Sequence, residues 1–191
     1  MKLPLVAFDP ALNNFGIAHM IYDTDSGLLE LVSLELVQTE ATKLKQVRKN
    51  SDDLERARQL HAGMMLACSR AAFAIAEIPT GTQSARGAMS NGIALGVLAG
   101  CPIPLIQVIP REVKLASVGT ATATKEEMIE WAMAKYPSKF WLMRKFKGEL
   151  RPIADNEHLA DACAIAEAGI RTDQFKQAIA VLRITNVSSF Q

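Results

Sequence analysis

Net charge is nearly absent from this 191-residue sequence, as are disulfide-forming cysteines and any uninterrupted apolar run long enough for a membrane. Twenty-one Lys and Arg stand against 20 Asp and Glu, leaving +1. No global field advertises a polyanionic partner, so any such contact must come from a local patch. The three cysteines, Cys68, Cys101 and Cys163, are odd in number and lie in apolar surroundings. With no secretory signal at the start, they are expected to be reduced core residues of a cytoplasmic protein. From Gly92 to Ile109 there is no charged residue, but Pro102 and Pro104 interrupt the stretch and its second half turns β-branched. That predicts a buried helix followed by a buried strand, not a membrane span. Apolar residues make up 49% and charged residues 21%, which excludes a disordered chain. Repeats, low-complexity runs and linkers are missing too, so residues 1–191 are expected to form one domain with a full hydrophobic core.

What is present reads as strands first, then strand and helix in alternation. Leu3 to Asp9 is a short buried strand; Phe15, Ile17, His19 and Ile21 alternate on a second, and Leu28 to Val37 makes a third. Between the first two, Pro10, Asn13, Asn14 and Gly16 supply turn chemistry. Ser51, with Asp52 and Asp53, is expected to cap a helix whose apolar stripe runs Leu54, Ala57, Leu60, Met64 and Ala67 or Cys68 to Ala71. The run FAIAEIP is a strand ending at Glu77 and Pro79, Ser84 to Ala99 is helical, and Ile103 to Ile109 is a strand. Thr124 and Glu127 form a capping box that opens a helix through Lys135. A last helix starts at Asp155 or Asn156 and runs to Gly169, and residues 170–191 read as a C-terminal helix and tail. This order predicts an α/β layer structure around a mixed sheet.

Asp9 and Glu77 each close an apolar strand and each is followed by proline, at Pro10 and Pro79. Sites in open α/β sheets form at the carboxyl ends of strands. Neighbouring strands lie about 4.8 Å apart, so two such carboxylates could share one hard cation. In NEHLADACAIAEAG, His158 and Asp161 are three apart and occupy one helical face. The four groups together suit Mg2+ or Mn2+. Taken singly, Asp9 reads as a turn residue, Glu77 as a solvated strand end, Asp161 as an ion-pair partner and His158 as a satisfied core histidine; the joint pattern is what distinguishes them.

The order of these segments resembles the RuvC family of Holliday-junction resolvases, over about residues 3 to 170. The resemblance rests on AFDPALNNFGIA on the first strand, AIAEIP on the fourth, IPREVKLASVGTATATK after the fifth and HLADACAIAEA on the last helix. It implies a ribonuclease H-like fold, with a central five-stranded mixed sheet flanked by helices. It also implies a two-metal Mg2+ or Mn2+ site at Asp9, Glu77, His158 and Asp161, and metal-dependent hydrolysis of branched DNA by a homodimer without a nucleotide cofactor. Pro110, Val113, Lys114, Gly119 and Lys125 match the family's lysine-bearing segment, and Lys114 and Lys125, with Arg111 beside them, are expected at the DNA. Lys125 is otherwise poorly placed at a helix N-terminus, where the dipole favours negative charge, and makes more sense if a phosphate docks nearby. Asn13 and Asn14 are expected along the passing phosphates.

Two departures from the family pattern stand out. Bacterial members carry an aromatic wedge three residues after the fourth-strand Glu, where this chain has Thr80. The stretch EIPTGTQSARGAMSNG is more similar to the phage-encoded branch, which would place the protein in a host cytoplasm and makes Gln83, Ser84 and Arg86 the candidates for DNA contact. The second departure is KYPSKFWLMRKFKGELR, with six Lys or Arg against one Glu and four interleaved aromatics. It reads either as a surface for backbone contact and base stacking or as an amphipathic helix covering the core edge. Ala88, Gly92, Gly96 and Ala99 form a small-residue stripe suited to a dimer contact or to packing on the helix's own sheet. Other readings of the whole chain are a ribonuclease H-like enzyme acting on RNA, a non-catalytic junction-binding protein, and an ATPase or sugar kinase of the same fold. The last is expected to need a second nucleotide-binding half and glycine-rich phosphate loops, and these 191 residues show no second such loop.

Overall fold

The computed structural model describes residues 1–137 and 140–188. Three antiparallel strands open the chain: β1 (Lys2–Asp9), β2 (Asn14–Asp23) and β3 (Leu29–Gln38). Then come α1 (Lys49–Cys68), β4 (Phe73–Glu77), α2 (Ala85–Ala99) and β5 (Leu105–Val108). The helices α3 (Pro110–Ser117) and α4 (Lys125–Lys135) lead to a small hairpin, β6 (Met143–Phe146) and β7 (Glu149–Pro152), and the chain closes with α5 (Asn156–Gly169) and α6 (Asp173–Ser188). The main sheet has the order β3-β2-β1-β4-β5, antiparallel through β1 and parallel from β1 to β5. This is the five-stranded mixed sheet expected from the sequence. Among the described residues no helix is long and apolar enough to cross a membrane.

Side-chain alternation divides the core in two. Leu5, Ala7, Ala18, Met20 and Ile75 point to the face covered by α3, α4, α5 and α6. Val6, Phe8, Phe15, Ile17 and Ala74 point to the other, covered by α1 and α2. On the first face Phe175 of α6 meets Tyr22 and Phe73 edge-on, with ring centroids 5.0 and 6.1 Å apart. Cys68 and Cys163 are buried and Cys101 is half-buried; all three are free thiols.

Several local expectations change. Ser51 does not cap α1, which begins at Lys49; the carboxylate of Asp52 instead accepts the backbone N–H of Thr42, tying down the incoming loop. Leu54 is exposed, because the buried face of α1 begins with Asp53 and Arg56 before reaching Leu60 and Met64. Residues 110–117 form a helix unread from the sequence. The basic and aromatic segment forms the β6–β7 hairpin and not a helix, and its Ser138 and Lys139 lie outside the described residues, as do residues 189–191 of the expected tail.

The helix α5 lies unusually close to the sheet. It is buried on nearly every side and rich in alanine: Ala160, Ala162, Ala164 and Ala166 are fully buried beside Leu159, Cys163 and Ile165. Gly16 is not a turn residue but pairs with Asp9 inside the β1–β2 ladder. A Cβ there would stand 2.1 Å from the backbone oxygen of His158. At the other end of α5, a Cβ on Gly169 would stand 2.4 Å from Cγ2 of Ile75. Two glycines, one on the sheet and one on the helix, thus allow the approach. Gly16→Ala drives a methyl group into backbone and is expected to cost about 1–3 kcal/mol. For a chain of this size that lowers the melting temperature by roughly 3–10 °C. Gly169→Ala meets a rotatable side chain and should cost less. An unchanged melting temperature for Gly16→Ala would mean that α5 can lift off the sheet.

Candidate active site

The parallel register of β1 and β4 pairs Phe8 with Ala76, so the next residues, Asp9 and Glu77, leave the sheet side by side. Pro10 and the glycine-lined contact with α5 then bring the helix's first turns over these strand ends. His158 Nδ1 lies 2.7 Å from Asp9 Oδ2. Asp161, one turn on, is half-buried and close enough to Asp9 and Glu77 for their charges to act on it. The structure therefore gathers the four residues singled out in the sequence.

Electrostatics set this cluster apart. Burial, with the charge of Asp9 added, pushes the Glu77 carboxyl up to about 7, against a lowering pull from Lys114. Burial pushes Asp161 up to about 8, with Asp9, Glu77 and Glu157 all contributing. Burial also raises Asp9 despite its bond to His158. For His158, burial opposes the imidazolium but is outweighed by the hydrogen bond and charge of Asp9, so its pKa is raised. Carboxylates this close hold protons because they lack positive charge between them. Three oxygen-donor acids and an imidazole are the donor set of a hard divalent cation, with His favouring Mn2+ more than an all-carboxylate site would. Among the described residues no three such side chains form a closed ligand group, and the Asp9 carboxylate is engaged by His158 instead.

The two lysines flank the acids. Lys114, on α3, donates to the backbone oxygen of Ala123 at 2.8 Å and lies within the field of Glu77. Gly119, at φ 88°, ends α3 and returns its N–H to the Lys114 carbonyl. The capping box of Thr124 and Glu127 then starts α4 as expected, with Lys125 as its first residue. Lys125 pairs with Glu157 of α5 at 2.7 Å. Its side chain is mostly exposed, so the pair is a weak tether and not a lock.

Several other candidates also make structural hydrogen bonds or ion pairs. Arg86 makes a bidentate pair with Asp53 at 2.5 and 2.6 Å, joining α2 to α1 and holding the Asp53 carboxyl below its usual range. Arg56, buried, donates to Thr39 Oγ1 at 2.9 Å and to the side-chain oxygen of Asn13. Asn14 accepts from Gln38, which also donates to Asp155, at 3.1 Å each. Ser84 caps α2 by accepting the N–H of Gly87 at 3.0 Å. Gln83 and Arg111 are exposed, on the loop before α2 and on α3.

Ser90 and Asn91 were not singled out in the sequence, yet with Asn13, Asn14 and His158 they line a cleft of about 290 Å3 beside the acids. Asn91 is held there by donating to the carbonyl of Thr80 at 2.8 Å. Glu157, equally missed, adjoins His158 and adds a further negative charge; only its position next to the His and Asp pair signalled it.

The raised carboxyl pKa values have a thermodynamic sign. The folded state retains protons on Glu77 and Asp161 that the unfolded chain has released, so stability without divalent cations falls as pH rises from the ordinary carboxylate range through about 7 and about 8. His158, also raised, loses its contribution in the same direction as pH rises through its folded value. In EDTA the melting temperature is expected to drop by several degrees between about pH 5.5 and about pH 8.5, since 1 kcal/mol moves it by about 2–4 °C. Asp161→Asn should flatten that fall, and Mg2+ or Mn2+ should raise the melting temperature more at the higher pH. A melting temperature that climbs with pH in EDTA would contradict the assignment.

No family model and no curated protein matches this sequence. Among solved structures, T. thermophilus RuvC in complex with a Holliday junction substrate aligns with a TM-score of 0.62 at 23% identity, covering 87% of this chain and 92% of that one. A second Thermus thermophilus RuvC structure gives 0.60 at 23% identity, over 88% and 92%. Fowlpox virus resolvase in complex with Holliday junction DNA gives 0.51 at 13% identity, over 89% and 100%. At these identities the likeness is one of architecture: the chain has the ribonuclease H-like fold of RuvC.

Proposed function

We propose that the protein is a structure-selective DNA endonuclease that resolves four-way junctions by metal-dependent phosphodiester hydrolysis. The observation that carries this reading is the convergence of Asp9 and Glu77, at adjacent strand ends, with His158 and Asp161 on α5. The fold shared with resolvases crystallised on Holliday junction DNA supports the substrate class. In this scheme Asp9 would serve both ions of a Mg2+ or Mn2+ pair, Glu77 would help hold one and Asp161 with His158 the other, and ions held there would supply activation of a water and stabilisation of the leaving oxygen. His158 orients the Asp9 carboxylate and is placed to hold or pass a proton at Nδ1. Lys114 and Lys125 offset charge on the reacting phosphate and position the strand, and Asn13, Asn14, Ser90 and Asn91 line its path.

A four-way junction has near two-fold symmetry, and paired incisions call for a two-fold dimer. The exposed stripe Ala88, Gly92, Gly96 and Ala99 supports that state. An added Cβ on Gly92 or Gly96 would meet nothing within 4 Å, so these residues are not small for the sake of packing on their own sheet. Met89 and Leu95 beside them, and Leu54 on α1, are exposed apolar residues.

Asp9→Asn is expected to abolish cleavage of a labelled four-way junction in Mg2+ or Mn2+ while junction binding persists. A fully active variant would remove Asp9 from the chemistry. Cleavage of an RNA duplex in place of the junction would move the protein to RNA, and binding without cleavage by the unaltered protein would make it a junction-binding protein. Light scattering at micromolar concentration is expected to give a dimer, converted to monomer by Gly96→Lys; a monomeric unaltered protein would exclude the paired-incision scheme.

A further inference from the structure

The hairpin β6–β7 contributes nothing to the core: all eight of its strand residues are exposed. Its turn is the two-residue Lys147-Gly148, with φ of 49° and 90°, the pattern of a type I′ hairpin. Lys147 is the only non-glycine residue with positive φ among the described residues, at a place where Asn, Asp or Gly fits with less strain. Arg144 stands directly opposite Arg151 across the ladder. Like charges so placed destabilise a hairpin. The sequence thus accepts two local costs, and both add positive charge to a short ribbon holding four basic residues and one acid.

One face of this ribbon is a platform. Phe146 shares it with Arg144, Arg151 and Glu149, as the pairing register requires. The guanidinium of Arg151 lies 5.3 Å from the centre of the Phe146 ring, and Lys147 Nζ lies 5.6 Å from it. Both cations sit over the ring in cation–π contact, and Arg151 also donates to Glu149 at 3.0 Å; an exposed ring with mobile cations beside it can exchange them for a nucleobase and its flanking phosphates.

A two-stranded ribbon is marginal alone and must be fixed from its base. Trp141 is buried and donates its indole N–H to the Tyr136 carbonyl at 2.9 Å. Asn156, fully buried, clamps Leu142 with two hydrogen bonds of 2.8 Å, accepting its N–H and donating to its carbonyl. Asn156 opens α5, two residues before His158. The platform is therefore rooted on the same helical turn that carries the acid-bonded histidine.

We infer that the β6–β7 ribbon is a nucleic-acid grip, in which Phe146 stacks on a base of the strand leading to the site and Arg144, Lys147 and Arg151 engage its phosphates. The inference rests on the nuclease reading of the site and adds to it a second contact surface on the hairpin.

The test uses the full chain in EDTA, so that nothing is cut, and a fluorescent four-way junction with 2-aminopurine near the branch point. Replacing Arg144, Lys147 and Arg151 together by Ala is expected to weaken binding about 10-fold or more at roughly 0.1 M salt and to lower the salt slope by about two to three. Phe146→Ala should weaken binding about 5- to 100-fold, leave the salt slope unchanged and abolish 2-aminopurine quenching, which Phe146→Trp restores. All substituted side chains are exposed, so unchanged melting curves accompany both results. Unaltered affinity, slope and quenching in these variants, with the parent protein binding the junction, would overturn the grip and leave the nuclease reading intact. A parent protein that neither binds nor cuts any nucleic acid would overturn both.

Discussion

Everything assembled at the site depends on how closely α5 approaches the sheet. A hydrogen bond tolerates only a few tenths of an ångström before it weakens. The bond from His158 to Asp9 joins residues 149 apart in sequence, across the boundary between helix and strand. It is possible because Gly16, paired with Asp9 on the neighbouring strand, presents no side chain to the His158 backbone. The buried alanines of α5 and Gly169 keep the rest of the helix at the same depth. One methyl group at Gly16 would stand where the helix backbone now lies, and the acid cluster would open.

That closeness creates an electrostatic problem, which the molecule solves differently in two places. Beneath α1 and α2, buried Asp53 is paired with buried Arg56 and half-exposed Arg86; two cations face one carboxylate, and the Asp53 carboxyl is held low. At the strand ends, Asp9, Glu77 and Asp161 are desolvated together and all are pushed up. The two nearby lysines do not close the deficit: Lys114 is drawn to the Ala123 carbonyl and Lys125 to Glu157. The same residue types therefore report opposite things. The first cluster is held by its own cations and braces the turn through Asn13, whereas the second gathers like charges that are desolvated together, the pattern of strongly perturbed carboxyls typical of functional sites.

This contrast also explains which parts of the site were legible in the sequence. Asp9, Glu77, His158 and Asp161 were readable because local rules expose them: an acid ending an apolar strand, and two ligands three apart on an apolar helix. The capping box at Thr124 and Glu127 was legible for the same reason. For Arg86 and Asn13 nothing local reveals their structural partners, Asp53 and Arg56, which lie 33 and 43 residues away. Leu54 looked like the start of an apolar stripe, but pairing of Asp53 and Arg56 rotates α1 so that it faces outward. The hairpin was hidden because a ribbon exposed on both faces leaves no alternation of burial to read; only Lys147-Gly148 marked its turn.

The first turn of α5 is where these threads meet. Asp155, just before it, accepts from Gln38 at the end of β3; Asn156 clamps the ribbon; Glu157 tethers α4 through Lys125; His158 bonds to Asp9. Four successive residues thus join four separate elements, and each link is a polar bond from a side chain, not a share of the hydrophobic core. An extra ribbon can be accommodated at such a node without disturbing packing, since its weight falls on the amide of Asn156 and on the buried indole of Trp141. A strand held by the ribbon would be registered to His158 through two residues of helix backbone, one of the stiffest short connections a protein offers. The alanine-rich helix is then more than core filler: its buried length sets the depth of the acids, and its first turn would set where a strand held by the ribbon meets them.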